Sequence, residues 1–500
     1  MGLAIDREEF SSADYDAFSE RLTESLTALE TLLRRPAFGN GPLTVGAELE
    51  LCIVDADGAA LPLNRQVFRS AGDSRLQLEL DRFNLEYNLD PAPLAGQPFA
   101  DLRRQLRDAL GALEPVARKH GGRIVYVGIL PTLVESDVQP SAMTHLPRYR
   151  VLAAGIKHLR GGVPFEVDIT GHENLTTTCE SVTLEGAATS FQLHLRVPPG
   201  EFANTFNAAQ MVTPIAMAIA ANSPVFLGRL LWDETRIALF KQAIDARTPD
   251  RKEWRRAARV PFGHGWVRNS ALELFAESIA LFPPLIPIVS DEDPVHIVAE
   301  GRTPGLWELR LHQSTIWQWN RAIFDPADNG HLRIELRALP AGPTIVDMAA
   351  NAAFLFGLIL GIRKDIRPLL SAFPFHYAEY NFYRAAQQGL DAELLWPRRS
   401  YPSPYAIGAR ELVAEMLPVA ERGLAGAGVD AREIEESLEP IRRRLATGMT
   451  GAHWQRTMVQ KLEQRQTRPD ALHRMLAEYM ENMTAGRPVG DWPIKCPEAT

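Results

Sequence analysis

Cysteine is scarce in this chain, with three in 500 residues, at Cys52, Cys179 and Cys496. So few, so irregularly spaced, exclude a disulfide framework or a cysteine-ligated zinc site, and they make a reduced, cytoplasmic setting the expectation. Excess positive charge is absent too: the formal net charge is −9 and the isoelectric point about 5.8. That argues against bulk attraction to nucleic acid or to an anionic membrane, while leaving room for a local basic pocket. The opening MGLAIDREEFSSADYD has no basic segment followed by an apolar run, so no signal peptide is expected. The most apolar stretch, Ala349 to Ile362, is shorter than a membrane span needs, and Met211 to Leu231 is broken by Asn222-Ser223-Pro224. Both predict buried helices. Repeats, low-complexity tracts and an obvious linker are also missing.

Several catalytic signatures are lacking as well. There is no Gly-x-x-x-x-Gly-Lys-Ser/Thr loop and no Gly-x-Gly-x-x-Gly after a strand, which excludes the P-loop and Rossmann plans. His172-Glu173 has no second histidine, and Gly186 to Ser190 is no nucleophile elbow. Cys52 stands two residues from Glu50, whose charge would disfavour a thiolate, so it reads as a small strand residue rather than a nucleophile.

What the chain does have is ordinary globular composition, 46% hydrophobic and 23% charged, and a recurring strand pattern. In Thr44 to Val54, period-two alternation sends Leu49, Leu51 and Ile53 to one face and Glu48, Glu50 and Cys52 to the other. Two carboxylates that close repel unless a cation lies between them. Leu76 to Asp81 and Leu85 to Leu89 alternate in the same way and place Glu79 and Glu86 on polar faces. So do Phe191 to Val197, with Gln192, His194 and Arg196; Leu306 to His312, with Glu308, Arg310 and His312; and His331 to Arg337, with Arg333, Glu335 and Arg337.

Helices are expected over about 6 to 35, over Phe99 to His120, from Phe202 to about Ile244 with a break, around Arg251 to Arg259, over Ser270 to Leu281, and near 345 to 363. Arg123 to Leu130 reads as a buried strand. The Gly-, Thr- and Pro-rich region from Glu135 to Thr189 reads as a long loop or lid.

Strands with one wet face belong to antiparallel sheets. The expected class is therefore α+β: a curved, mainly antiparallel sheet backed by helices. One catalytic domain over 1–500 is expected, with an N-terminal helical segment at 1–40, a sheet-bearing core at 40–363 and a mostly helical part at 364–500. Acids and arginines on one concave face suit metal-bound phosphate, since carboxylates hold Mg²⁺ and guanidinium groups grip phosphoryl oxygens in pairs. Mg²⁺ takes few carboxylates, so several acids point to more than one ion, bridged by a nucleotide such as ATP.

The motifs Thr44-Val45-Gly46-Ala47-Glu48-Leu49-Glu50-Leu51, Leu85-Glu86-Tyr87-Asn88, Gln192-Leu193-His194-Leu195-Arg196-Val197, Ala221-Asn222-Ser223-Pro224-Val225-Phe226-Leu227-Gly228-Arg229, Thr315-Ile316-Trp317-Gln318-Trp319-Asn320-Arg321 and Leu332-Arg333-Ile334-Glu335-Leu336-Arg337 occur in this order. Together they resemble the glutamate–cysteine ligase type 2 family of carboxylate–amine ligases. The resemblance implies a fold like the catalytic domain of glutamine synthetase, ATP and Mg²⁺ as cofactors, and amide-bond formation through an acyl phosphate. By the same resemblance Glu48, Glu50, Glu79, Glu86, His194 and Glu335 are expected to bind metal, and Glu335 and Arg337 to act in catalysis. Arg196, Arg310, Arg321 and Arg333 are expected on the nucleotide.

The expected partners are a small-molecule carboxylate and amine, with glutamate and cysteine favoured; a homo-oligomer stays open. The chain departs from the family at Gln192-Leu193-His194, where His-Val-His is usual, and after Glu335-Leu336-Arg337, where an Asp is usual. These changes bear on the amino-acid substrates more than on the metal site. Two rivals remain, a phosphotransferase of the same fold and a catalytically silent nucleotide-binding homologue.

Overall fold

The computed structural model describes residue 5 and residues 7–247, 256–397 and 403–494. The main sheet holds eight strands: β1 (Thr44–Val54), β2 (Leu76–Leu78), β3 (Asn84–Asn88), β4 (Ala92–Pro93), β5 (Arg123–Val125), β8 (Phe191–Val197), β11 (Asn320–Asp325) and β12 (His331–Leu336). Three hairpins stand apart, β6 (Phe165–Thr170) with β7 (Asn174–Cys179), β9 (Val225–Phe226) with β10 (Arg229–Leu230), and β13 (Glu393–Trp396) with β14 (Tyr405–Gly408). The sheet runs β11-β12-β8-β1-β3-β2, with β4 and β5 on the two ends of β1, and every pairing is antiparallel. It curls into a half-barrel backed by helices.

Burial alternates along β1 as the sequence requires: Val45, Ala47, Leu49 and Leu51 are buried while Gly46, Glu48 and Glu50 are partly open. Behind that apolar face lie the helices Phe202–Ala220, touching β11 and β12, and Ile345–Ile362, touching β8. A fully buried Leu or Val contributes about 1.5–3 kcal/mol. A one-residue slip of β1 would exchange Leu49 and Leu51 for Glu48 and Glu50 against those helices, so burial fixes the register and with it which side chains face the open side.

Ile345–Ser371 is a 27-residue helical run, longer than its sequence indicated and apolar enough by composition to cross a membrane. It is a core element instead, with 83% of its apolar window buried, packed against Phe202–Ala220, Ala409–Gly426 and Ala431–Thr447.

Other expectations need correction. Leu306 to His312 is not a strand: Trp307–Gln313 is helical. Leu306, Leu309, Gln313 and the buried Glu308 and His312 also satisfy a three-to-four residue spacing, and a seven-residue run cannot separate the two periods. Glu308 and His312 leave the wet face altogether, Glu308 accepting from Ser290 N at 2.6 Å and His312 Nε2 meeting Ser278 O at 3.1 Å. The segment 135–189 is not a structureless lid; it forms the helix Pro147–Leu159, the β6–β7 hairpin and short 3₁₀ turns. Only Arg123–Val125 of the expected strand to Leu130 is paired in the sheet as a strand, and β2 ends at Leu78, so Glu79 lies just beyond it. The helix expected over Arg251 to Arg259 falls mostly outside the described residues; residues 256–259 are not helical.

Candidate active site

The open side of the sheet carries its charges in rows set by strand register. His194 on β8 pairs with Gly46 on one side and Glu335 on the other, and Glu335 pairs with Arg321. In the next rows Glu48 lies between Gln192 and Asn88, and Glu50 lies opposite Glu86, which faces Gln77. His194 Nε2 is 3.0 Å from Glu48 Oε1 and 3.9 Å from Glu335 Oε1. Among the described residues, Glu48, His194 and Glu335 form the one group of three metal-type side chains whose donor atoms all lie within 4.8 Å of one another. Two carboxylates and an imidazole are a donor set that a divalent cation accepts. Among the described residues the buried His194 Nδ1 has no hydrogen-bond partner.

Guanidinium groups flank this trio. Arg321 forms a two-pronged pair with Glu335, through Nε to Oε2 and through Nη2 to Oε1 at 3.1 Å. Arg337 Nη1 reaches Glu335 Oε2 at 3.1 Å and also donates to Gln192 Oε1. Burial opposes ionisation of Glu335, but the charges of Arg321, Arg337 and His194 outweigh it and hold its carboxyl well below the usual range. Glu48 is likewise pushed up by burial and brought below its ordinary value by His194 and Arg337. Both acids of the trio are thus held ionised.

A second acid group behaves oppositely. Glu50 accepts from Ser190 N at 2.6 Å and from Gln192 Nε2 at 2.8 Å, yet burial still raises its pKa. Burial, reinforced by Glu48, Glu79 and Glu50, raises Glu86 well above its usual value. Glu79 is pushed to about 7 by burial and by Glu50. Glu185, in the 3₁₀ turn Val182–Ala187, is raised by burial and by Glu79 and Glu50 despite Arg337. Carboxyls that destabilise one another this way are what a cation would relieve.

Beside the trio a cavity of about 470 Å³ opens against β11, with apolar walls that include Phe275, Ile286, Trp307 and Ile323. Arg148, Arg310, Arg321 and Arg333 also line it. Arg310 sits 4.8 Å from the centre of the Trp307 ring; Arg333 has Asp325 at 3.4 Å and a buried Nε with no hydrogen-bond partner among the described residues. The cavity is large enough for a nucleoside-sized ligand and has the apolar body with few polar groups typical of such sites.

Of the residues expected from sequence, Glu48, Glu50, Glu86, His194, Arg321, Glu335 and Arg337 share the open face as written. Glu79 reaches the group from beyond its strand, and Arg310 reaches the cavity from a helix. Arg196 shares the open face, paired with Arg333, but its guanidinium is engaged within the protein: its Nη1 is 3.1 Å from Asp328 and its Nη2 donates to Asn40 O at 2.9 Å. It does not line the cavity. Glu185, Arg148 and Gln192 complete the group but carried no role from sequence; Glu185 and Arg148 sit in the region read as a loop. Buried Cys52, its thiol pushed to about 12 by burial and by Glu50, is no nucleophile.

A sequence model for glutamate–cysteine ligase family 2 matches residues 44–478. The chain belongs to this family. A Rubrobacter xylanophilus protein provisionally named glutamate–cysteine ligase 2-3 is 25% identical over 434 residues, 84% of this chain and 93% of that protein. Among solved structures, glutamate–cysteine ligase from Francisella tularensis, determined with AMP, superposes with a TM-score of 0.52 at 11% identity, covering 92% of this chain and 91% of that one. That likeness shows the fold alone: a curled antiparallel sheet backed by helices.

Proposed function

We propose that the protein is an ATP-dependent carboxylate–amine ligase that joins an amino-acid carboxylate to an amine, with glutamate and cysteine as the favoured pair. The observation that carries this reading is the Glu48–His194–Glu335 trio, its two carboxylates bracketed by Arg321 and Arg337, next to an arginine-lined apolar cavity. Family membership and the AMP in the Francisella tularensis structure support nucleotide binding.

In this reading the cavity takes the nucleotide, with Trp307 and Ile323 against the base and Arg321 and Arg333 on phosphate oxygens. Mg²⁺, held by Glu48, His194 and Glu335 and by the Glu50, Glu79 and Glu86 group, would neutralise phosphate charge. The first substrate's carboxylate takes the γ-phosphoryl group to give an acyl phosphate, and the amine of the second displaces inorganic phosphate, closing the amide bond. No protein nucleophile is needed. The chain's work is positioning and charge stabilisation: Arg337 faces the transferring group, and Glu335 fixes Arg321 and Arg337 in place. Glu50 and Gln192, tied together at 2.8 Å, set the floor on which the carboxylate is presented.

The test is a screen of amino acids in pairs for ATP-dependent phosphate release, with mass spectrometry of the product. Free phosphate should appear only when both a carboxylate and an amine are present. A stable phosphorylated product formed without any amine would make the protein a phosphotransferase instead. Glu50→Gln should abolish Mg²⁺- and ATP-dependent product formation, and retention of it would overturn the assignment of the acid group.

A further inference from the structure

The Ala221-Asn222-Ser223-Pro224 motif lies outside the open face, and the reaction outlined above assigns it no task. It leads instead to a buried polar hub. Glu234 and Arg236, in and just before the helix Thr235–Ala243, are 0% and 2% exposed and paired at 3.1 Å. Glu234 accepts from Asn222 N at 2.9 Å and from the Ser223 hydroxyl at 2.8 Å. Arg236 spends its remaining donors on the chain leaving β12: both Nη atoms reach the carbonyl of Arg337 at 3.3 Å, and Nη2 also donates to the carbonyl of Ala338. Its guanidinium stands 5.4 Å from the centre of the buried Trp319 ring, and Trp319 O accepts from Arg337 N at 2.8 Å. The backbone of Arg337 is therefore held from both sides.

The hub continues into the C-terminal helices. Asn222 Nδ2 donates to Ala341 O at 2.8 Å and to Tyr479 Oη at 2.9 Å, and Gln455 Nε2 donates to Asn222 Oδ1 at 2.9 Å. Buried charges are kept only where every group is matched, and here the matching falls on one turn, 337–341, that begins with the arginine facing Glu335, Gln192 and Glu50. Lys could not reproduce it, because a fork of planar donors is what spans two successive carbonyls and a carboxylate.

We propose that Arg236 is a positioning residue for this reaction: anchored by Glu234 and the Asn222-Ser223 turn, it fixes the backbone at Arg337 and so aims the Arg337 guanidinium at the reacting carboxylate. The inference rests on the ligase reading only for its kinetic arm. With the active substrate pair, Arg236→Lys should lower kcat on the order of 10–100-fold while leaving KM for MgATP within about threefold, as expected when a group is displaced by about an ångström. In an Arg337→Gln background the same substitution should change kcat by less than about threefold, because Arg236 acts through Arg337.

A second arm needs no turnover: in crystals of the full-length Arg236→Lys protein the Arg337 contacts to Glu335 and Gln192 should be lost while β8 and β12 keep their register. If that variant does not fold, the charge-free pair Glu234→Gln/Arg236→Met removes both buried charges together and is read in the same way. Full kcat in the variant, full additivity with Arg337→Gln, or unchanged Arg337 contacts would each overturn the proposal. Should no substrate pair turn over even in the parent protein, the ligase reading fails and the crystal arm alone decides.

Discussion

His194 stands opposite Gly46 in the strand ladder, yet its imidazole leans diagonally to Glu48, 3.0 Å away, while Glu335 lies directly across the other strand at 3.9 Å. If this trio holds a divalent cation, His194→Asn should weaken Mn²⁺ binding at least tenfold, the scale on which even supporting residues act. Titration of the full-length protein with Mn²⁺, followed by electron paramagnetic resonance, measures it. Unaltered affinity would remove His194 from the ligand set.

The Glu79 carboxyl gives a pH signature. Its folded value of about 7 lies above the ordinary 4.5, so its protonated form is favoured in the fold. The stability it contributes is fully present below pH 4.5 and is lost as pH rises through 7. A bound Mg²⁺ would replace the proton as the neutralising charge. Metal-free protein should therefore lose melting temperature between pH 5 and 8, Mg²⁺ should restore more of it at pH 8 than at pH 5.5, and Glu79→Gln should flatten both trends. Scanning calorimetry across that range, with and without about 10 mM Mg²⁺, decides; a Mg²⁺ effect independent of pH would contradict the shared acid site.

Which parts were legible in the sequence follows from periodicity. β1, β3, β8 and β12 each carry an apolar face against helices and a polar face to the open side, and the charged residues on the polar face identified one another. Trp307–Gln313 failed because seven residues fit both periods, yet Arg310 still reached the cavity. Glu185 was hidden for another reason: a 3₁₀ turn leaves no alternation to read. Arg236 was hidden as well: Asp233-Glu234-Thr235-Arg236 is a run of four polar residues that reads as a wet helix start, and only the fold buries the Glu234–Arg236 pair.

His312, misplaced on the wet face by sequence, supplies an acid-side prediction. It is 1% exposed, and burial lowers its pKa from 6.5 to about 4 against the small pull of Ser278 O. The unfolded chain therefore binds the proton better, so stability is full above pH 6.5 and is lost as pH falls toward 4. The span amounts to about 3 kcal/mol. Urea unfolding at pH 7.5 and pH 5 should show the parent protein losing much of this, and His312→Gln should lose markedly less between the same two points. Equal losses in both proteins would mean that His312 is not the group responsible.

The cavity wall makes the last prediction. Arg310 lies against Trp307 at 4.8 Å and, among the described residues, makes one long hydrogen bond, to Gly305 O at 3.5 Å, so the pair is held together with the guanidinium still able to take a ligand. A base stacked on Trp307 and a phosphate near Arg310 would each contribute about 1–3 kcal/mol. Trp307→Ala and Arg310→Ala should then each weaken ATP binding about tenfold, equivalent to about 1.4 kcal/mol. Arg196→Ala, whose guanidinium is spent on Asp328 and Asn40, should weaken it less than threefold and act on stability instead. Isothermal titration with a non-hydrolysable ATP analogue and Mg²⁺ reads all three. If Arg196→Ala lost more affinity than Arg310→Ala, the nucleotide would lie along β8 rather than in the cavity against β11.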